Sequence, residues 1–247
     1  MTGWGRWAFG LAAYAIALAV MLPATWIDAT LRSASDGRLG LAGVEGTLWS
    51  GRGQLEMRDA RGRAAIAKPV AWRAQPLSLL RGRLLYELEF DPPGKRFPVV
   101  LQLSRIELEG ADFDVPAGVF GLGVPRLAPL GLTGEVRVHI ARLSIERNAL
   151  HGDATAQWRA AGSALTRVWP LGSYELRFNS EAVPARASLR TLQGPIELDG
   201  DGSWTDGQRP VFQAAIRVPP DYREQLAPLL RLIAVDRGEG RFELQAQ

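Results

Sequence analysis

The pattern of apolar and polar residues divides the chain into one long apolar run and many short alternating segments. Residues 7–27 contain no charged side chain, and Arg6 and Asp28 flank them. At about 1.5 Å rise per residue, such a run spans roughly 31 Å as a helix, close to the roughly 30 Å thickness of the hydrocarbon core of a bilayer. The run therefore predicts a transmembrane helix over residues 7–27.

The residues beside this run predict its orientation. Arg6 is the only charged side chain before it, and positive charge is enriched on the cytoplasmic side of membrane helices. We therefore expect residues 1–6 in the cytoplasm and residues 28–247 across the membrane. A cleaved signal peptide is the alternative. Such peptides have an apolar core of about 7–15 residues and an A-x-A-like cleavage site, whereas this run is longer and ends in LPATWIDAT.

After the run, apolar and polar residues alternate with a period of two, as in strands with one buried face. In residues 135–146 the alternation changes phase at Ala141–Arg142, as a β-bulge would produce. The other alternating segments are residues 84–90, 97–110, 173–178, 195–200 and 211–218. Turn sequences such as DPPG and DGDG separate them. The pattern predicts an all-β fold of curved antiparallel sheet with few short helices.

Helical signals are few. In residues 221–234, Asp221 is the expected N-cap and Glu224 follows three residues later, as in a capping box. Leucines then recur at helical spacing, and Pro228 predicts a kink. We expect this helix to cover one end of a sheet, and we expect shorter helical turns at residues 76–80 and 163–168.

Two parts of the chain resemble each other. Trp72 and Trp158 each begin a W-R-A sequence, and Tyr86 and Tyr174 each begin a Y-E-L sequence, in the same order. A repeat of about 87 residues indicates duplicated structural units. It predicts two similar β-rich units, over about residues 39–132 and 133–247. Chance similarity is the alternative, because each matching sequence is short.

Composition argues against several classes of function. The chain has no cysteine, which removes thiol nucleophiles, thiolate metal sites and disulfides. Its net charge is +3, and the charged residues are dispersed along the chain, so a nucleic-acid-binding surface is not predicted. His139 and His151 are the only histidines, too few for a zinc site without further nitrogen or sulfur ligands.

Sequences that resemble catalytic or binding loops each lack a required residue. Ser50 in LWSGR follows Leu48, where a nucleophile elbow requires glycine. Asp199–Ser203 begins like a calcium loop, but Trp204 occupies the position that requires glycine. The glycine-rich residues 121–131 lack the lysine of a phosphate-binding loop. We therefore predict that the protein is not an enzyme, with no catalytic residue, metal site or cofactor.

Five tryptophans are the candidate interaction or core residues. Each lies near a glycine or proline, in or beside a predicted strand: Trp49, Trp72, Trp158, Trp169 and Trp204. An indole buries a large apolar area and can join one layer of a sheet to another. This favours a core role for Trp72 and Trp158. Lining a groove for a peptide strand or an acyl chain is the alternative, and both roles remain open for Trp49.

Segments distributed along nearly the whole chain carry a family resemblance. They are VEGTLWSGRGQL (44–55), AWRAQPLSLLRGRL (71–84), residues 171–204 and residues 227–244. In this order, with the apolar run before them, they resemble the type II secretion system protein N family. The resemblance implies a single-pass protein of the inner membrane with a periplasmic domain and an accessory role in the export of folded proteins. It brings no established catalytic residues.

The resemblance implies other secretion-system components and the inner membrane as partners, with no small-molecule substrate. Partner strands can add to the unpaired edge of an open sheet. A looser likeness in glycine-punctuated β architecture, to AsmA-like proteins that handle lipid, implies the alternative of a periplasmic protein that binds lipid or another apolar ligand. An apolar concave face open to solvent would favour that alternative.

Overall fold

A computed structural model describes most of the chain. The described residues are 20–58, 64–123, 125–146, 149–180, 183–205, 211–236 and 241–244, together with Trp7, Gly10, Leu11, Tyr14, Ala17 and Leu18. The predicted cytoplasmic residues 1–6 and seven of the positions in the predicted anchor lie outside them.

The N-terminal apolar run does not continue as one helix to Ile27. Its described residues are helical up to Val20, and a separate helix, α1 (Thr25–Ala34), follows. Pro23 explains the break, because it lacks an amide hydrogen and disfavours the helical conformation in the residue before it. Pro23 instead forms an antiparallel bridge with Thr47. Within the described part of the chain, no helix is long and apolar enough to cross a membrane.

The chain forms two compact units, residues 1–96 and 97–247. In unit 1, four antiparallel strands follow α1 in sequence order. They are β1 (Leu39–Gly46), β2 (Ser50–Arg58), β3 (Ala64–Gln75) and β4 (Leu84–Phe90). A 3-10 helix, η1 (Pro76–Arg81), connects β3 to β4, where the sequence predicts a helical turn.

Unit 2 is also antiparallel, with β5 to β12 paired in sequence order and then β14 and β13. Its strands are β5 (Arg96–Leu101), β6 (Arg105–Pro116), β7 (Leu132–Glu146), β8 (Leu150–Ser163), β9 (Gly172–Asn179), β10 (Ala185–Gln193), β11 (Glu197–Trp204), β12 (Val211–Arg217), β13 (Ala234–Asp236) and β14 (Arg241–Leu244). Its helices are α2 (Gly118–Gly123), η2 (Pro125–Leu130), η3 (Pro220–Tyr222) and α3 (Arg223–Ile233). The prediction of an all-β antiparallel fold with few short helices is therefore confirmed.

Several local predictions differ from the structure. Residues 97–110 form two strands with a turn between them, closed by the Gln102 amide donating to the Arg105 carbonyl. The apolar positions change phase between Leu103 and Ile106, and such a change is as typical of a β-bulge as of a turn, so the period alone did not distinguish them. Residues 163–168 form a non-helical turn. Asp221 lies inside η3, whose N-cap is Pro219, so it is not the N-cap that the sequence predicts. Helix α3 continues through Pro228. In contrast, the β-bulge predicted at Ala141–Arg142 is confirmed by a register shift between Ile140 and Arg142.

The hydrophobic core of unit 2 lies between α3 and one face of the sheet. Leu226, Leu229 and Leu230 of α3 are buried, as the leucine spacing predicts for a helix with one apolar stripe. Residues from the strands and connecting turns complete the buried cluster: Leu130, Ala161, Val168, Leu171, Tyr174, Ile196, Ile216 and Val218. The helix therefore covers the apolar side chains that period-two alternation places on this end of the sheet.

We predict that Leu226→Ala lowers the free energy of unfolding by about 2–5 kcal/mol, because it leaves a cavity under α3. Leu226 is only 1% exposed, whereas Leu232 of the same helix is 61% exposed. Leu232→Ala is therefore the matched control and should change stability by less than about 0.5 kcal/mol. Urea denaturation of both variants checks the prediction. Equal losses of stability would show that α3 does not form the core lid.

Candidate functional site

The structure divides the five candidate tryptophans between the two units. In unit 1, Trp72 lies in β3 and is 6% exposed, and Trp49 lies half-buried in the bend between β1 and β2. In unit 2, Trp158 lies half-buried in β8, and Trp169 lies in the turn before β9 and is 69% exposed. Trp204 ends β11, and its side chain is outside the described part of the structure. Their local environments therefore differ, and Trp169 is the most accessible of those described.

Trp72 and Trp158 tie their strands to an earlier turn in the same manner. The indole Nε1 of Trp72 donates to the carbonyl of Thr47 at 3.1 Å, and that of Trp158 donates to the carbonyl of Thr133 at 2.9 Å. In both cases the acceptor lies 25 residues earlier in the chain. A Cβ at Gly51 would lie 2.5 Å from Cζ2 of Trp72, so only glycine lets this ring lie against β2.

The tyrosines of the repeated sequence also donate hydrogen bonds to backbone carbonyls. The Tyr86 hydroxyl donates to the Leu48 carbonyl at 3.3 Å. The Tyr174 hydroxyl lies 3.1 Å from the carbonyls of both Leu171 and Ile196. Burial raises the pKa of both tyrosines, most strongly that of Tyr174. Both hydroxyls therefore stay protonated at neutral pH and act as structural donors.

A buried carboxylate lies on the polar face of unit 2. Glu175 is 3% exposed and accepts hydrogen bonds from Gln157 at 2.9 Å, Arg177 at 2.7 Å and Arg190 at 2.9 Å. Gln157 and Arg190 are its direct neighbours on β8 and β10. Burial alone would raise the pKa of Glu175, but these donors and the positive charge of Arg177 together lower it. The carboxylate is therefore ionised and its oxygens are occupied.

A second set of ion pairs crosses β6, β7 and β8 on unit 2. Asp114 accepts from Arg137 at 3.1 Å and from Arg159 at 3.0 Å. Arg137 also lies 3.7 Å from Asp112. Charged groups held by several partners stabilise cross-strand order, and they are poorly placed to exchange protons with a substrate. These ion pairs therefore stabilise the pairing of β6, β7 and β8.

The residues considered for chemistry lie on separate strands. Ser50 lies at the start of β2 in unit 1. In unit 2, His139 on β7 and His151 on β8 are not opposite each other. His139 is exposed, opposite Asp112 and Thr155 on its neighbouring strands. Within the described ranges, no group of three or more His, Asp or Glu side chains is arranged to hold a metal ion.

Helix α1 caps the outer edge of β1, a feature that sequence reasoning missed. The Leu39 amide donates to Oγ of Ser35 at 2.9 Å, and the Leu41 amide donates to Oδ1 of Asp28 at 2.7 Å. Burial alone would raise the pKa of Asp28, but hydrogen bonds from Arg32 and the Leu41 amide lower it. Strand edges are commonly closed to stray pairing in this way. The only sequence signal was polar residues spaced along a short helix.

Two surface regions bear on the choice between protein and lipid partners. A shallow depression of about 410 Å³ in unit 1 is lined by Trp72 and by charged residues that include the ion pairs Arg52–Glu45 and Arg96–Glu89. On the apolar face of unit 2, outside the area beneath α3, Leu176 is 41% exposed and Ile145 is 39% exposed. The first region combines charged side chains with the Trp72 ring, whereas the second is formed by apolar side chains.

Comparison with known families confirms the resemblance seen in the sequence. The model of the family described as "Type II secretion system (T2SS), protein N" matches residues 37–245. The match covers most of the chain, and the chain therefore belongs to this family. Comparisons with curated proteins and with solved structures found no match.

We predict that Glu175→Gln destabilises unit 2 at neutral pH by about 1–3 kcal/mol, because it removes charge-assisted hydrogen bonds from a buried site. The folded-state pKa of Glu175 lies below its ordinary value. Its stabilising effect is therefore present above the ordinary glutamate pKa of about 4.3 and is lost as the pH falls through the folded-state pKa.

The measurement is the free energy of unfolding at neutral pH and at about pH 3. Wild type should lose more stability on acidification than Glu175→Gln does. Glu109→Gln is the control, because Glu109 is 65% exposed and its ion pair with Arg142 spans 3.5 Å. Exposed pairs of this kind contribute little. An identical acid response in wild type and Glu175→Gln would contradict the prediction.

Proposed function

We propose that this member of the type II secretion system protein N family is an anchored accessory component of the secretion machinery that acts by binding other components. Family membership over residues 37–245 carries the proposal. In this proposal residues 1–6 lie in the cytoplasm, residues 7–27 provide the inner-membrane anchor, and residues 28–247 form the periplasmic domain. The family is a secretion-system accessory family and is not known as a family of enzymes.

The geometry supports binding over catalysis. A general acid or base must be free to exchange a proton with a reacting group. Glu175, the most buried carboxylate described, already accepts hydrogen bonds from three side chains. The buried tyrosine Tyr174 donates to backbone carbonyls. These groups fit a rigid platform whose exposed side chains make contact with a partner.

We also propose that the domain contains two copies of one β-rich unit. Support comes from the matching indole bonds of Trp72 and Trp158, each to a threonine carbonyl 25 residues earlier. In both copies the strand that contains the tryptophan pairs with the strand that contains the Y-E-L sequence: β3 pairs with β4, and β8 pairs with β9. Cross-strand contacts differ in detail, since Trp72 lies opposite Leu88 and Trp158 lies opposite Tyr174.

Trp169 is the proposed docking residue. Its side chain is 69% exposed, and exposed tryptophans are enriched among the residues that dominate binding energy in protein interfaces. The ring packs against Gly162, where an added Cβ would lie 2.9 Å from Cδ1 of the indole. The missing side chain at Gly162 therefore gives the indole room to lie against unit 2. The outer edge of β1 is less suited to a partner strand, because Ser35 and Asp28 already occupy its amides.

Binding of a lipid or another apolar ligand is the second candidate. The partly exposed apolar side chains of Leu176, Ile145 and Ile106 favour it. The part of the same face that contains Tyr174 and Ile216 is filled by α3 and its neighbours. The space that remains on this face for an apolar ligand is therefore limited. Protein binding is the preferred proposal because it also accounts for the exposed Trp169 ring.

The proposed topology predicts that protease added to spheroplasts digests residues 28–247. The reason is that Arg6 retains the N-terminus in the cytoplasm. Immunoblotting for the domain, with a cytoplasmic protein as the control for intact spheroplasts, checks it. Protection of the domain, or a mature N-terminus near Thr30, would contradict an uncleaved anchor with this orientation.

The binding proposal predicts that Trp169→Ala reduces secretion without lowering domain stability, because it removes an exposed contact and leaves the core intact. The double variant His139→Ala with His151→Ala should secrete like wild type, since the proposed function needs no acid–base group. Secretion of a substrate is measured at equal protein levels, and thermal unfolding is measured in parallel. A folded double-histidine variant that has lost secretion would overturn the binding-only proposal.

A further inference from the structure

The end of unit 1 at which the N-terminal apolar helix stops is tied to the turn between β1 and β2. The Leu48 amide donates to the Leu22 carbonyl at 2.8 Å, and the Ala24 amide donates to the Gly46 carbonyl at 3.3 Å. Pro23 bridges to Thr47 between these bonds. Residues 22–24 therefore act as a short strand against this turn, and the turn lies where the apolar helix ends.

Helix η1 lies at the same end of unit 1. The Ala74 amide donates to the Trp49 carbonyl, and the Tyr86 hydroxyl donates to the Leu48 carbonyl. Ala74 precedes the start of η1 by two residues, and Tyr86 follows shortly after its end. In an antiparallel meander the first and third connections lie at one end. We call residues 22–24, 47–49 and 76–83 together the hinge end.

The hinge end exposes apolar side chains beside positive charge. Leu77 is 79% exposed, Leu79 is 49% exposed and Leu80 is 86% exposed. Arg81 and Arg83 follow directly, are exposed, and form no ion pair with another described residue. Three neighbouring leucines in water are unfavourable, and grouped apolar side chains on a protein surface commonly mark a contact site.

The connection between β8 and β9 in unit 2 also carries apolar side chains, and there they are covered. There Val168 is buried and Leu165 packs against the core cluster that contains Leu226 of α3. The leucines of η1 hold the corresponding place between β3 and β4, yet they stay exposed. Among the described residues, none covers the leucines of η1 as α3 covers the core cluster of unit 2.

We propose that the hinge end of unit 1 lies against the surface of the lipid bilayer, with Leu77, Leu79 and Leu80 in the headgroup region and Arg81 and Arg83 on lipid phosphates. The proposal rests on the proposed membrane anchor. Its support is position and chemistry together. The hinge end begins where the exposed apolar helical residues stop. Apolar side chains next to arginines are the composition that lipid interfaces bind, especially anionic ones.

This arrangement would fix the orientation of unit 1 on the membrane. Hydrogen bonds join residues 22–24 to the β1–β2 turn, and the bonds from β1 to Ser35 and Asp28 hold α1 along the edge of the sheet. An anchor connected in this way does not act as a flexible tether. The inserted leucines add a second contact with the bilayer at a short distance from the first.

Single-cysteine labelling tests the proposal, because the natural chain has no cysteine. The full chain is reconstituted in vesicles of phosphatidylcholine with phosphatidylglycerol, and an environment-sensitive fluorophore is attached at one of three positions. Leu80→Cys reports on the hinge end and Leu18→Cys on the apolar helix. Lys95→Cys is the matched control, because Lys95 is exposed in the turn after β4, at the other end of that strand from η1.

Lipids brominated near the carboxyl end of their acyl chains quench fluorophores that lie at the boundary between headgroups and acyl chains, as well as deeper ones, but not fluorophores in water. We expect loss of fluorescence at Leu80→Cys and Leu18→Cys and no loss at Lys95→Cys. In the Leu80→Cys background, Arg81→Gln with Arg83→Gln should reduce the quenching in vesicles with phosphatidylglycerol and change it little in phosphatidylcholine alone.

Three other results would overturn the inference, and they differ in what they say about the anchor and about the occupant of the hinge end. Quenching at Leu18→Cys without quenching at Leu80→Cys would leave the anchor in place and show that the hinge end does not contact lipid. Protection of Leu80→Cys from aqueous iodide, again without quenching by brominated lipid, would identify a protein as its occupant. Absence of quenching at both positions would contradict the anchor as well.

Discussion

Period-two alternation gives the strands of the core an apolar side, and the need to cover that side constrains the rest of the structure. In unit 2, α3 supplies the cover, with Leu226, Leu229 and Leu230 against Tyr174 and the neighbouring strands. Burial of this kind is the main favourable contribution to folding. In unit 1 the leucines of η1 have no comparable cover among the described residues, and we propose that the bilayer supplies it.

Polar groups that are buried together with these apolar side chains have hydrogen-bond partners. Trp72 and Trp158 bury indole rings but place each N–H on a threonine carbonyl. Glu175 is buried as an ion because Gln157, Arg177 and Arg190 replace the water it loses. A buried polar group without partners would cost more than it contributes. The same requirement explains why Asp28 and Ser35 meet the outer amides of β1.

These features favour a protein that works by contact. The family membership assigns the chain to type II secretion, and the described polar groups are largely engaged with one another. The exposed groups differ in kind between the units: Trp169 on unit 2 suits a protein partner, and η1 on unit 1 suits lipid.

The sequence by itself determined the class of fold and the family. Alternation is a local property, so the strands, the bulge at Ala141–Arg142 and the apolar stripe of α3 could be predicted without a structure. The family resemblance needed only residues in order along the chain. Tertiary structure decided the features that depend on residues far apart. Only pairing showed that Leu101 and Arg105 flank a turn, since the change of phase between them is also what a bulge within one strand would produce. Only packing showed that Asp28 closes the edge of β1 and that Glu175 is buried, because a carboxylate's surroundings are set by strands and helices that the local sequence does not specify.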